Sequence, residues 1–539
     1  MPWVLGAALG NDVHVAGLVN FLLVARGQGY QIRFIGPAVS PQELIDQVRQ
    51  MLPDLVAVSY RLTPRSAGEL LEQLRVLRKR KLPTSVRFVF GGTPETARVA
   101  RACGLFDQVF DGTEPQDAVQ EFLTGRTTSR TESKPANALV PRIEHTYPRP
   151  LLRHHFGRPS VAETVAGARA IATSGVLDVL SLGPDQNAQA SFFRPTEIDS
   201  AQDGAGGVPL RREEDLTAIY EATRTGNYPL VRCYAGTRDL VRWAEMLHRT
   251  VNVAWGAVPL FWYSQLDGRS DRPLPEAIAE NQRAIRWYAE HGIPVEVNEA
   301  HQWSLRDAHD ALGVAAAFLA AYNAKRLGVR HYIAQYMFNT PSGTSAAMDL
   351  AKMLAKIELI EGLQDAEFRV YRQVRAGLAH FVSDLDQAKG QLAASAVVSL
   401  ALRPHILHVV GFCEADHLVT APELIESCRI VLGVLRDVGT GLPDMTQDQA
   451  VQTRKTELIH SAQTLVQAIQ DLNVDAPDAL TDPAVLTRAV QVGLLDAPHL
   501  ANNRYARGRI TTGLVRGCCE ALDPVRLEPI SESERIRKL

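Results

Sequence analysis

The chain lacks most of the features that would mark it as anything other than an ordinary globular protein. Only 6 of its 539 residues are cysteine, too few for a disulfide framework at this length, and a reducing, cytoplasmic setting is the expectation. Neither sign of charge dominates: Lys and Arg number 57, Asp and Glu 60. That balance leaves no basic footprint for nucleic acid or an anionic membrane surface. No uncharged run approaches the roughly 20 residues that span a bilayer. The opening residues have no basic n-region and meet Asp12 early, so they read as a first β-strand and not as a signal peptide. There is no Gly-x-x-x-x-Gly-Lys-Ser/Thr phosphate loop, no short-period repeat and no low-complexity tract.

What is present is 46% hydrophobic and 22% charged, a composition that folds. At roughly 100–250 residues per domain, two to four domains are expected. Residues 1–125 alternate short apolar runs (4–9, 31–35, 55–59, 86–90, 108–111) with amphipathic stretches (13–27, 41–51, 66–78, 94–102). That rhythm predicts a doubly wound parallel sheet of the flavodoxin-like, Rossmann-like kind. Residues 126–164 are polar and rich in proline and predict a linker. From 165 to 430 the βα rhythm resumes at larger pitch, with strands expected at 177–182, 230–234, 252–255, 295–298, 331–335 and 406–410. This length suits a (β/α)8 TIM barrel, with a second open sheet as the alternative. Residues 431–539 are expected to be mainly helical.

The residues richest in chemistry lie where the first strand should give way to the first helix: Asp12-Val-His14-Val-Ala-Gly17. That is the ligand-bearing edge of a doubly wound sheet. Ser59 and Leu62 follow at the end of another expected strand, and Gly91-Gly92 at the end of a third. One crevice would then hold an imidazole, a carboxylate, a hydroxyl and a glycine pair that permits close backbone approach.

These residues resemble the cobalamin (vitamin B12)-binding domain of methionine synthase and the carbon-skeleton mutases. Its pattern is Asp-x-His-x-x-Gly, then Ser-x-Leu, then Gly-Gly at similar spacing. The resemblance implies that His14 is the lower axial ligand of the cofactor's cobalt. It implies that Asp12 accepts the other imidazole N–H and that Gly17 lets the nucleotide tail lie close. Ser59, Leu62, Gly91 and Gly92 would line the slot for the displaced base. Here the leucine stands one place later than in the family pattern, the chain reading Ser59-Tyr-Arg-Leu62.

Residues 165–430 are similar, without a sharp fingerprint, to the large subunit of glutamate mutase (methylaspartate mutase). The similarity is carried by Leu230-Val-Arg232-Cys-Tyr-Ala-Gly-Thr237 and by Phe261-Trp-Tyr263. It implies that Arg232 grips a substrate carboxylate. Three arginines do this in that family; Arg194 or Arg212 is the candidate second one here, and Gly411 stands where the family places a lysine. Glu296 and Asn298 alternate onto one strand face, with Glu299 and His301 at the expected barrel mouth, where catalytic groups gather. Tyr263, Glu299, His301, Tyr336 and Glu414 are the residues expected toward the corrin's upper side. The string from His405 to His417 has no familiar zinc spacing and reads as loop polarity.

Together these imply a carbon-skeleton isomerase that uses adenosylcobalamin for a radical rearrangement of a small carboxylate or amino acid. The expected catalytic residues are Arg232, Tyr263, Glu299, His301 and Glu414. The expected cofactor residues are Asp12, His14, Gly17, Ser59, Leu62, Gly91, Gly92 and Tyr336. The alternatives are methyl transfer through methylcobalamin and a non-catalytic cobalamin carrier or sensor. A homodimer is the only protein partnership expected.

Overall fold

The computed structural model describes residues 2–83, 85–114, 118–124, 135–234, 236–377, 380–439 and 441–539. The chain divides into two compact units, Met1–Ser133 and Lys134–Leu539. Among the described residues no helix is long and apolar enough to cross a membrane.

In the first unit the apolar runs become β1 (Trp3–Leu9), β2 (Gln31–Val39), β3 (Leu55–Tyr60), β4 (Arg87–Gly92) and β5 (Gln108–Phe110). All pair in parallel, in the order β2-β1-β3-β4-β5, the flavodoxin-like arrangement. Helices cover both faces, so β1 and β3 are buried on both sides and read as unbroken apolar runs. The helices at 41–51, 64–81 and 94–103 begin on Ser40, Thr63 and Thr93, whose side chains accept a backbone N–H of the first turn. The first helix, Ala16–Gly27, starts three residues later than its apolar pattern suggests. The Asp12 carboxylate accepts the His14 backbone N–H, which keeps 12–14 out of the helix.

The second unit is an eight-stranded parallel barrel. Its strands are β6 (Leu151–Phe156), β7 (Val179–Leu182), β8 (Leu230–Cys233), β9 (Gly256–Val258), β10 (Val295–Val297), β11 (His331–Met337), β12 (Arg369–Arg375) and β13 (Ile406–His408). They run in chain order around the sheet, with β13 pairing back onto β6. The β8–β9 gap is bridged just ahead of β9, where Ala254 N–H donates to the Val231 carbonyl at 2.8 Å. The barrel is thus nearly closed.

Two differences from the sequence reading matter for function. The expected linker at 126–164 is not all linker: 126–134 lies outside the described residues, but Leu139–Thr146 is a helix and β6 is a barrel strand. Leu139 and Ile143 of that helix pack with Leu151, Val179, Leu230, Trp255, Ile333, Tyr371 and Ile406 into an apolar floor. The flanking prolines had suggested a connector. They delimit a helix whose apolar face plugs the barrel. Strand β12 was also missed, because Arg369-Val-Tyr-Arg-Gln-Val-Arg375 places charge on both faces.

Beyond the barrel, residues 441–539 hold the helices Gln449–Gln470, Pro483–Val492 and Glu532–Arg537. They also hold an antiparallel pair, β14 (Thr511–Val515) and β15 (Cys518–Leu522).

Candidate functional sites

The crevice in a sheet of this order opens where β1 and β3 diverge, at their C-terminal ends, and the motif residues lie there. Asp12 is fully buried. One of its oxygens accepts both the His14 backbone N–H and His14 Nδ1, each at 2.9 Å. The other accepts the Arg61 backbone N–H at 2.7 Å. With Nδ1–H donating to Asp12, the lone pair of His14 is on Nε2, and half of the side chain is exposed. That is the form an imidazole needs in order to bind a metal.

Beside His14 lies a cavity of about 550 Å³, lined by Gly17, Ser59, Gly91 and Gly92 among others. A Cβ at Gly17 or Gly91 would meet nothing within 4 Å, so both backbones face open space. At Gly92 a Cβ would stand 2.7 Å from the Tyr60 carbonyl, so only glycine fits. The Ser59 hydroxyl is buried without a hydrogen-bond partner among the described residues. Leu62 does not line this cavity and is partly exposed, while Arg61, two residues after Ser59, does line it. The one-residue shift of the leucine thus puts a cation where the family pattern has an apolar side chain.

In the barrel, alternation along each strand sends every second residue inward. Two positions above the floor the lumen turns polar. Arg153 donates to Ser181 Oγ (2.7 Å), to Gln373 Oε1 (2.5 Å) and to His155 Nε2 (3.0 Å). Glu296 Oε2 accepts from Trp255 Nε1 (2.7 Å) and Gln373 Nε2 (3.1 Å), and faces Arg232 and Arg153 at 3.5 and 3.7 Å. All but the half-buried His155 are almost completely buried. Burial alone would raise the Glu296 pKa, but Arg232 and Arg153 overcome it and hold the carboxyl ionised below its usual range. Arg375, also buried, bonds the Ala376 carbonyl and has no carboxylate within 4 Å among the described residues. Two guanidinium groups therefore share one lumenal glutamate, with a third buried close by. Arg232 Nε and Nη1 have no acceptor.

The imidazoles around them are neutral. Burial, reinforced by Arg153, drives His155 and His408 well below the ordinary value. His155 Nε2 accepts from Arg153 and from Tyr234 OH (2.8 Å), so its proton is on Nδ1, which is buried and unpaired. Burial takes His301 down to about 3, with Glu296 and Arg375 among the charges acting on it.

The remaining expected residues divide. Tyr263 is buried, in a left-handed backbone conformation, and burial pushes its phenol up to about 12. Tyr234 and Arg232 both act on it, so it belongs with the lumenal group. Glu299 is different. Its oxygens accept the Leu260 and Phe261 N–H groups (2.9 and 3.2 Å) and Trp303 Nε1 (2.6 Å), so it braces the loop that carries Tyr263. Glu414 is exposed after β13, within electrostatic reach of Arg375. Tyr336 is misplaced by the sequence reading. By alternation Gln335 and Met337 face the lumen, and Tyr336 packs outward, where Glu361 and Arg372 act on it. Arg194 and Arg212 are also outside the lumen, on Asp239 and Asp215. The companions of Arg232 are instead Arg153 and Arg375, on the two strands that sequence reading missed. Leu151-Leu-Arg153-His-His155-Phe does not alternate in polarity, so the sequence carried no clear signal for this strand.

Cys413, His417 and Glu423 come within 4.8 Å of one another. His417 bonds Asp416 and Glu423 (2.6 and 2.7 Å), and Glu423 also closes the capping box on Thr420.

Residues 2–120 match the family described as "B12 binding domain", which supports cobalamin binding by the first unit. Among solved structures, the chain is similar to a cobalamin-binding protein from Desulfitobacterium hafniense DCB-2, at 22% identity and a TM-score of 0.21. The match covers 23% of this chain and 58% of that one. A second, MurG from Acinetobacter baumannii, is 14% identical with a TM-score of 0.16, over 53% of this chain and 84% of that one. No curated protein matches the chain.

Proposed function

We propose that this protein is an adenosylcobalamin-dependent carbon-skeleton isomerase of the glutamate mutase kind, acting on a small carboxylate. One observation carries the reading of the barrel: Arg153 and Arg232 share a single ionised carboxylate, Glu296, Arg375 is buried with no carboxylate within 4 Å among the described residues, and Arg232 keeps two donors without an acceptor among them. A substrate carboxylate against Arg232 supplies the missing acceptors as a charge-assisted pair and offsets the excess positive charge. The unpaired Nδ1–H of His155 is a third donor for it.

When bound, cobalamin in its adenosyl form supplies a cobalt–carbon bond that opens to a carbon radical. The chain's own groups bind, orient and stay inert. His155, His301 and His408 are held neutral and Tyr263 is held protonated through neutral pH, so none of these groups changes charge near pH 7. Such a lumen fixes a substrate's charge with groups whose own charges stay constant. In the first unit, His14 Nε2 is the cobalt ligand and Asp12 fixes its tautomer and direction. Gly17, Ser59, Gly91 and Gly92 line the slot for the displaced base.

The test uses the full chain loaded with adenosylcobalamin and titrated without oxygen against small carboxylates and amino acids, with Co(II) followed by visible absorption. Co(II) is expected with the substrate. Arg232→Lys is expected to reduce its formation on the order of tenfold or more, with cobalamin affinity unchanged. An equal loss of cobalamin affinity would make Arg232 a structural residue. Turnover of methylcobalamin, with the adenosyl form left intact, would replace the isomerase by a methyltransferase.

A further inference from the structure

We infer that Arg61 is the anion-binding residue of the first unit's cavity, pairing with the phosphodiester of cobalamin's nucleotide tail; this rests on the cobalamin reading above. Among the described residues, the Arg61 guanidinium makes no hydrogen bond or ion pair, although its backbone is pinned to Asp12. Among the described residues it is the only Lys or Arg lining the cavity. The two acids that also line the cavity are already engaged. Asp111 is held by Thr113 and Arg101, and Glu114 accepts the Asp111 and Gly112 N–H groups at 3.0 Å. Neither neutralises Arg61.

A second part of the lining favours an anion too. The helix Ala16–Gly27 opens on this cavity through Gly17, Leu18 and Asn20; the 94–103 helix also reaches it, at Thr93 and Pro94, but is capped by Thr93. The Ala16–Gly27 helix begins without a side-chain cap and with no acidic residue in its first turn. The helices at 41–51, 64–81 and 94–103 are each capped by a hydroxyl. An uncapped N-terminus presents free N–H groups and the positive end of the helix dipole. Gly17 leaves that approach open, since a Cβ there would meet nothing within 4 Å. Ser59, more than nine-tenths buried, directs an unpartnered hydroxyl into the same space. A guanidinium, free helix N–H groups and a hydroxyl all suit phosphate oxygens. Cobalamin's nucleotide carries one such anion. Leucine, the family's residue at this position, could not pair with it.

The experiment compares two corrinoids on the cofactor-free full chain: aquacobalamin, and diaquacobinamide, which keeps the corrin but lacks the nucleotide and its phosphate. Binding is read by visible absorption. Arg61→Leu is expected to weaken aquacobalamin binding about tenfold and to leave diaquacobinamide binding unchanged. Arg61→Lys is expected to fall between wild type and Arg61→Leu. The wild-type preference for aquacobalamin should shrink as salt is raised. Equal effects on both corrinoids, or none on either, would overturn the inference while the cobalamin reading stands. Failure of the wild-type chain to bind either corrinoid would remove both. Retention of the His14 nitrogen on cobalt in Arg61→Leu shows that the variant is folded at the site.

Discussion

The two units place their chemistry differently on similar βα scaffolding. In the open sheet the functional groups come after the strands: Asp12 and His14 beyond β1, Arg61 beyond β3. They sit at a half-exposed edge and are held by hydrogen bonds to backbone. In the barrel they lie within the strands, as every second residue of β6, β8, β10 and β12, and are almost sealed from water. The edge site can therefore carry a free guanidinium and a half-exposed imidazole at little cost. The lumen must set its charges against one another, and it does so incompletely, with Arg153 and Arg232 against one glutamate and Arg375 buried without a carboxylate within 4 Å among the described residues. What distinguishes the sites is how far the fold itself depends on them.

The strongest way to break that contrast is Glu296→Gln. It keeps the shape but leaves buried guanidinium groups without a counter-charge, and such a loss costs on the order of 3–5 kcal/mol. Urea unfolding monitored through the barrel should show it, and an unchanged midpoint would mean that the lumen is not electrostatically balanced by Glu296. Asp12→Ala at the edge site should cost less, about 1–3 kcal/mol, because it strips hydrogen-bond acceptors from the backbone N–H groups of His14 and Arg61 and does not strand a charge. A cost for Asp12→Ala as large as that of Glu296→Gln would erase the distinction between edge and lumen.

The smallest effect concerns pH. Burial raises Glu299 to about 7, above the roughly 4.3 of an unfolded chain. The folded state holds an extra proton between these values. Its contribution to stability is whole below about pH 4 and is lost as pH rises through about 7. Wild-type stability should therefore decline from pH 5 to pH 8 by more than that of Glu299→Gln, compared by urea midpoints. Equal slopes would show that Glu299 does not titrate in this range.

The same contrast explains what could be read without coordinates. Residues past strand ends form compact strings, so Asp12-Val-His14-Val-Ala-Gly17 and the Gly91-Gly92 pair announce the first site directly. The doubly wound order follows from alternating runs that are buried on both faces. Inside a barrel the signal is only a period of two within three to seven residues. Arg232 and Glu296 were legible because their strands are otherwise apolar. Arg153 was hidden by the prolines around it, and Arg375 by charge on both faces of β12. Tyr336 was misassigned for the same reason: strand-end position suggested the mouth, and alternation turned it outward. Arg61 was visible as a departure from Ser-x-Leu, but only the cavity wall showed that the cation takes the place vacated by leucine.

The account's central claim is that His14 holds the cofactor's cobalt. It is tested most directly by electron paramagnetic resonance of the Co(II) cobalamin complex, made once with ordinary protein and once with protein carrying isotopically labelled histidine. The predicted result is a base-off cofactor whose axial-nitrogen triplet becomes a doublet on labelling and disappears in His14→Ala. A triplet unchanged by labelling would mean that the cofactor keeps its own base on cobalt, and the assignment of the first unit's site would be wrong.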